Sequence, residues 1–270
     1  MKVSVVKLSL TLLASSALVF VSSEVFAQAS ETRAIQLEEV TVEGSQTGQG
    51  GDITADGYVA TSTRSATKTD TPVLETPRSM STVTQEQLED RKPQTLLDAL
   101  SYTPGVRVGS YGFDPRYDAF TIRGIDVTYT GVFRDGLRQV NSPNGLFRLE
   151  PYGLDGITIL RGPAASIYGA SSTGGIVDLI SKRPTLLPFR EVEVQTGSYE
   201  RLQGNFDLSG PVNSDNTFFY RLTGLVRDAG TEIDAVKDDR IFIAPAFTWR
   251  PNDATMLTIL GEYMDSTTGG

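Results

Sequence analysis

Few residues in this chain could do covalent chemistry. Ser65-Ala66-Thr67-Lys68 has the S-x-x-K spacing in which a lysine can activate a serine nucleophile. It stands in a Thr-rich stretch and no K-T-G follows it, so the spacing reads as coincidence. Residues 162–175 are Gly-rich but lack the Lys-Ser/Thr pair of a phosphate cradle, and they read as tight turns. Asp238-Asp239 is a carboxylate pair in a predicted loop, which reads as solvated charge rather than an acid–base pair. The 270 residues include no Cys and no His. That excludes disulfides, Cys or His metal centres, and catalysis by thiolate or imidazole. No enzyme constellation is found in the sequence.

The formal charge is −9 with no basic block, a poor basis for nucleic-acid binding. Lys2 and Lys7 precede an uncharged, Leu/Val/Ala-rich run from Leu8 to Ser23, and Val25-Phe26-Ala27 offers a small-residue cleavage site. Residues 1–27 therefore read as a secretory signal peptide, since a spanning helix wants about 20 apolar residues. No long apolar run follows.

Residues 28–71 are polar and read as a flexible segment. One island interrupts it, Leu37, Glu38, Glu39, Val40, Thr41, Val42 and Glu43, whose two valines alternate with polar residues. A lone strand there either stays solvated or adds to another protein's sheet edge.

Residues 72–184 read as a compact α/β unit. Strands are expected at 78–83, 120–123, 132–133, 156–160 and 176–181. Thr84 with Gln87 forms a capping box for a helix to about Asp90, and a second helix spans 95–102 with Leu96, Leu97 and Leu100 on one face. From residue 189 the period changes to two. Val192/Val194, Leu202/Phe206/Leu208, Leu222/Val226, Ile241/Ile243/Phe247/Trp249 and Leu257/Ile259/Tyr263 each alternate with polar neighbours. Five such segments with alternating short and long connections fit a transmembrane β-barrel; the alternative is a soluble antiparallel sheet packed on one side, and the signal segment and the polar second face favour the barrel.

Four stretches then carry a family resemblance. They are Glu75-Thr76-Pro77-Arg78-Ser79 with Val83-Thr84 and Glu86-Gln87-Leu88; Leu97-Asp98-Ala99-Leu100 into Thr103-Pro104-Gly105-Val106; Tyr117-Asp118, Thr121-Ile122-Arg123-Gly124 and Phe133-Arg134-Asp135-Gly136; and Glu150-Pro151-Tyr152-Gly153-Leu154-Asp155, Leu160-Arg161-Gly162-Pro163, Tyr168-Gly169, Gly174-Gly175 and Ser181-Lys182-Arg183-Pro184. Together these resemble the plug of a TonB-dependent outer-membrane receptor of the ferric-siderophore class, ferrichrome/hydroxamate type.

The resemblance implies an α+β plug followed by the first antiparallel strands of a transmembrane β-barrel. It implies a location in the cell outer membrane of a Gram-negative bacterium, with the N-terminal segment facing the periplasm. Leu37–Val42 matches the TonB box, which would pair by strand addition with the TonB-ExbB-ExbD energy-transducing complex. The linker 44–71 would give reach, up to roughly 90 Å if extended. Partners would be a ferric siderophore and outer-membrane lipid, and no cofactor is needed because the siderophore chelates the iron. Arg123, Gly124, Glu150, Arg161 and Gly162 match structural positions of the plug, with Glu150 and Asp155 as candidate carboxylates for the two arginines. Tyr111, Phe113, Arg116, Tyr117 and Tyr129 match outward loops that contact cargo; aromatic faces and one cation suit a hydroxamate-like complex.

Such a receptor closes its barrel with about 22 strands. The five strands expected here could not close, and open edges in lipid are not viable. The sequence is therefore expected to be an N-terminal fragment or a truncated product. A plug-only module that binds TonB without transport, and a receptor for another chelate such as cobalamin, remain as alternatives.

Overall fold

The computed structural model describes residues 52–110, 112, 114, 116–141 and 148–268. The signal segment and the 37–43 island lie outside the described residues.

The first described elements correct the linker reading. Strands β1 (Ile53–Asp56) and β2 (Val59–Thr63) form an antiparallel hairpin, and one helical turn, α1 (Arg64–Thr67), follows. The polar composition concealed two small anchors: Ile53 is 3% exposed and Ala66 is fully buried. Ile53 seats over Gly156, where an added Cβ would lie 2.7 Å from Ile53 Cδ1. The Ser/Thr side chains are used inward. Thr63 Oγ1 lies 3.0 Å from Thr158 Oγ1, and Ser65 Oγ donates to Asp178 at 2.7 Å. From Asp52 onward the segment is folded, so the free reach expected to Thr71 ends before it.

Next come β3 (Met80–Val83), α2 (Gln85–Arg91) and α3 (Leu96–Leu100). Both helices are short, and both start with a complete capping box, Thr84 with Gln87 and Thr95 with Asp98. Each box satisfies two otherwise orphaned backbone donors. Leu88, Leu96 and Leu100 are buried against the sheet. Short strands follow: β4 (Val106–Val108), β5 (Phe120–Ile122), β6 (Ile125–Asp126), β7 (Val132–Arg134) and β8 (Leu137–Arg138). Then come β9 (Leu154–Arg161), the turn α4 (Ala165–Tyr168) and β10 (Gly175–Ser181).

The central sheet runs β3-β9-β10-β7-β8, with β10 parallel to β7 and antiparallel to β9. Strands β4-β5-β6 form a separate three-stranded sheet. The strands β9 and β10 are buried almost throughout, which is why they read as near-continuous apolar runs. One face packs Phe120, Leu149, Ile157, Ile159 and Leu179; the other packs Phe133, Tyr168 and Ile176 with Ala66 from α1.

The rest is one antiparallel wall: β11 (Phe189–Thr196), β12 (Leu202–Pro211), β13 (Phe218–Asp228), β14 (Asp239–Asn252), β15 (Thr255–Leu260) and β16 (Tyr263–Thr267). The expected fifth segment is thus two pieces, both paired with β14. The break lies opposite Pro245, which has no N–H to continue a ladder; Gly261 N bonds to Pro245 O at 2.9 Å instead. The wall is inside out. Val192, Val194, Phe247 and Ile259 are more than half exposed, whereas Gln203, Asn205, Asp207, Arg221, Arg227 and Arg240 are each under 5% exposed. A soluble sheet would bury the apolar face, so the alternation resolves toward a wall with its apolar side in lipid. Among the described residues no helix is long and apolar enough to cross a membrane.

Candidate functional site

Two regions matter: an exposed loop cluster, and the seam where the α/β unit meets the wall. In the loop cluster, Tyr111 and Phe113 lie outside the described residues. Tyr117 and Tyr129 are both about a third exposed, at 37%. The β5–β6 hairpin is closed beside them: Val127 N bonds to Phe120 O at 3.3 Å, and Phe120 N to Thr128 Oγ1 at 3.4 Å. Arg116 is exposed but already committed. It grips Asp114 with two bonds, Nε to Oδ1 at 3.0 Å and Nη2 to Oδ2 at 2.9 Å. The fork holds the Asp114 carboxyl below its usual range. The guanidinium also stands 5.1 Å over the Tyr117 ring. Arg116 therefore stiffens the Tyr117 platform more than it offers free charge.

The expected carboxylate partners of Arg123 and Arg161 are a correction. Arg123 is exposed, with φ 52° before Gly124 at φ 80°. Arg161 donates from Nε to Pro104 O at 2.8 Å, from Nη1 to Ser79 Oγ at 3.2 Å, and also to Ser81 Oγ. No carboxylate among the described residues forms an ion pair with either. Gly162, at φ 89°, lets the chain turn directly after Arg161. Beside it is an open cleft of about 350 Å³ lined by Pro77, Arg78, Ser79, Leu160, Arg161, Gly162 and Pro163.

Glu150 pairs elsewhere. It caps the turn at Pro151–Gly153 by accepting from Tyr152 N at 3.3 Å, and its Oε2 meets the wall. Arg240 Nη1 is 2.6 Å from Glu150 Oε2, and Arg227 Nη2 is 3.3 Å away. Asp238 joins them, 2.9 Å from Arg227, 3.0 Å from Arg240 and 3.4 Å from Arg148. Asp238 is 8% exposed, so the solvated-charge reading of Asp238-Asp239 fails for its first member. A second cluster ties Lys182 and Arg221 to Asp207, each at 2.8 Å. Asp155 makes no ion pair among the described residues, and burial pushes its carboxyl up. Charges this buried need close partners, and each cluster spans both the α/β unit and the wall. Polar clamps therefore fasten the seam.

The S-x-x-K spacing forms no hydrolase site. Ser65 is buried on Asp178 and Lys68 Nζ stands 4.0 Å over the Tyr168 ring, while the S-D-N triplet that accompanies S-x-x-K in such hydrolases occurs as Ser214-Asp215-Asn216 in the exposed turn between β12 and β13. Among the described residues no group of three acidic side chains could hold a metal ion.

Comparison with known proteins agrees with this architecture. Residues 72–176 match the family described as the TonB-dependent receptor plug domain. The chain is 40% identical over 208 residues to the ferrichrome outer membrane transporter/phage receptor of Escherichia coli K12, covering 74% of this chain and 27% of that protein. It is 35% identical over 228 residues to the ferrioxamine receptor of Yersinia enterocolitica, covering 83% of this chain and 32% of that one. The ferripyoverdine receptor of Pseudomonas aeruginosa, solved with ferripyoverdine bound, superposes with a TM-score of 0.73 at 25% identity, covering 80% of this chain and 29% of that chain. This chain spans under a third of the length of these relatives.

Proposed function

Residues 72–176 are a TonB-dependent receptor plug domain, and from that premise we propose that this chain belongs to an outer-membrane receptor that imports ferric siderophores. The observation that carries the reading is the inside-out wall clamped to the plug. An apolar face turned outward and a polar face locked to a folded plug make sense in a lipid-embedded barrel filled by that plug. Tyr117 and Tyr129 offer aromatic faces to the cargo, with Tyr111 and Phe113 from the same loop region. The iron arrives already chelated, so the protein needs no ligand set of its own. Its task is recognition and passage, not catalysis.

The energy comes through the N-terminus. Leu37–Val42 adds as a strand to TonB, and the periplasmic side pulls on the chain that enters the plug at Asp52. Ile53 pairs with Thr63 at the end of the hairpin where the chain enters. A pull there opens β1 from β2 one rung at a time rather than shearing all rungs together. Relatives named for ferrichrome and ferrioxamine favour a hydroxamate cargo.

Growth on defined iron sources tests this. A deletion strain should lose growth on ferric hydroxamates and recover it with the full gene. Unchanged growth on hydroxamates, with a defect on cobalamin or another chelate, would reassign the cargo. A product that binds TonB but supports no import of any chelate would mark a plug-only module.

A further inference from the structure

We propose that residues 63–68 form a catch that sets the pull at which the plug begins to open, with Asp178 as its positioning residue. The inference rests on the reading that a pull enters the plug at Asp52. It adds where that pull must stop.

The entering chain is held by contacts that load one after another. Arg183 Nη2 holds Asp52 Oδ2 at 3.1 Å. Then Ile53 pairs with Thr63, Thr54 with Ser62, Ala55 with Ala60 and Asp56 with Val59. Peeling β1 from β2 breaks these in turn, so no rung is supported by the next. The two ends of the hairpin are neighbours, so peeling residues 52–62 frees roughly 35–40 Å of chain.

The residues that follow are built differently. Thr63 caps α1 by accepting from Ser65 N at 3.3 Å, and Lys68 N closes the turn on Arg64 O at 2.7 Å. Thr63 and Ser65 therefore move as one body. Both are buried, and both are fastened to the central sheet. Thr63 Oγ1 lies 3.0 Å from Thr158 Oγ1, and Ser65 Oγ donates to Asp178 Oδ2 at 2.7 Å. Thr158 and Asp178 are cross-strand partners on β9 and β10, so the two bonds stand side by side. Tyr168 Oη gives a third point, 2.8 Å from Ser65 O and 2.7 Å from Asp178 Oδ2. Phe133 meets the Tyr168 ring edge-on at 4.7 Å, and the buried Ala66 joins the same apolar cluster.

Asp178 holds the arrangement together. It is 1% exposed and accepts from Ser65, from Tyr168 and, through Oδ1, from Gly136 N at 3.0 Å. Bonds to a carboxylate are stronger than neutral ones, and a closed turn must give them up together. A hairpin that peels is thus followed by a catch that shears.

The test pulls the full-length protein, held in lipid, by a handle at its N-terminus in single-molecule force spectroscopy. It needs neither cargo nor TonB. The wild type should extend by roughly 35–40 Å and then stop until the force rises. Ser65→Ala, which leaves the sheet intact, and Asp178→Asn should lower the force at the stop and leave the first extension unchanged. Thr63→Cys with Thr158→Cys puts two sulfurs where the hydroxyls meet. The oxidised pair should make the stop permanent and, in cells, abolish import while surface binding of the ferric chelate persists; a reductant should restore import. Opening in one step with no stop, or a stop that neither single variant moves, overturns the proposal. Undiminished import by the oxidised pair overturns it too. A wild type that imports no chelate would count against the siderophore reading instead, and the pulling record would still decide the catch.

Discussion

Glu262 of the wall lies 2.5 Å from Arg134 of the plug, at the point where the strand ladder breaks opposite Pro245. The break frees Glu262 from a regular pair, and the plug uses it. Arg134 Nε also donates to Ser181 Oγ at 2.9 Å, and Ser181 Oγ to Asp135 at 2.7 Å. Arg183 bridges Asp135 at 3.7 Å and Asp52 at 3.1 Å. A continuous polar path thus joins the wall to the residue where the chain enters the plug. Glu262→Ala should cost about 1.5–3 kcal/mol locally, the usual worth of a bond to a charged group. Hydrogen exchange should read it as faster exchange at Val132–Arg134, with little change in β12 and β13.

Cutting the Glu150 clamp should cost more. Arg240 and Glu150 are both almost fully buried, and removing Arg240 leaves Glu150, among the described residues, with Arg227 alone, at 3.3 Å. Arg240→Met should destabilise the plug–wall seam by about 3–5 kcal/mol. Pairing it with Glu150→Gln should recover part of that loss. Denaturant midpoints of the two variants check the order.

The close approach of plug and wall at Gly153 is a separate constraint. A Cβ there would fall well inside contact distance of the Phe242 ring, which is fully buried. Gly153→Ala should cost about 1–3 kcal/mol through overpacking. Phe242→Leu in the same chain should relieve it, read as recovery of the melting temperature.

How much of this was legible depends on the range of each interaction. The capping boxes at Thr84 and Thr95, the alternation of the wall and the motif order of the plug were readable, because each is a local pattern. The hairpin at 53–63 was not, because its Ser/Thr/Gly composition resembles a linker and its burial hangs on Ile53 over Gly156. The Glu150–Arg240 pair joins residues 90 positions apart, and nothing near Asp238 in sequence marks it as buried. The same distance in sequence misdirected Glu150 toward Arg123 and Arg161.

Asp155 offers a pH test with a definite sign. Burial raises its folded-state pKa above the usual carboxylate range, although Arg221, Lys182 and Arg183 pull the other way. Such a group favours folding below the unfolded pKa, and that contribution is lost as pH rises through the raised folded value. At neutral pH the buried charge is therefore a burden. Asp155→Asn should be at least as stable as wild type at pH 7, and the advantage should vanish toward pH 3. Melting temperatures at the two pH values decide it; a variant clearly less stable at pH 7 would show that the carboxylate is needed in charged form.

The loop aromatics should govern affinity. Tyr129→Ala should weaken binding of a ferric hydroxamate about tenfold, roughly the loss of one stacked aromatic contact. Arg116→Ala should weaken it less, since that guanidinium is held by Asp114. Titration of the purified full-length protein separates the two.

The most direct test measures binding and import together. Cells lacking the native gene would carry either the full-length wild type or Val40→Pro, which removes one backbone donor from the box. Both should bind radiolabelled ferrichrome at the surface, and only the wild type should accumulate iron inside. Equal import by the two would contradict energy coupling through the box, and no ferrichrome binding or import by either, with ferrioxamine equally silent, would contradict the assignment as a hydroxamate siderophore receptor.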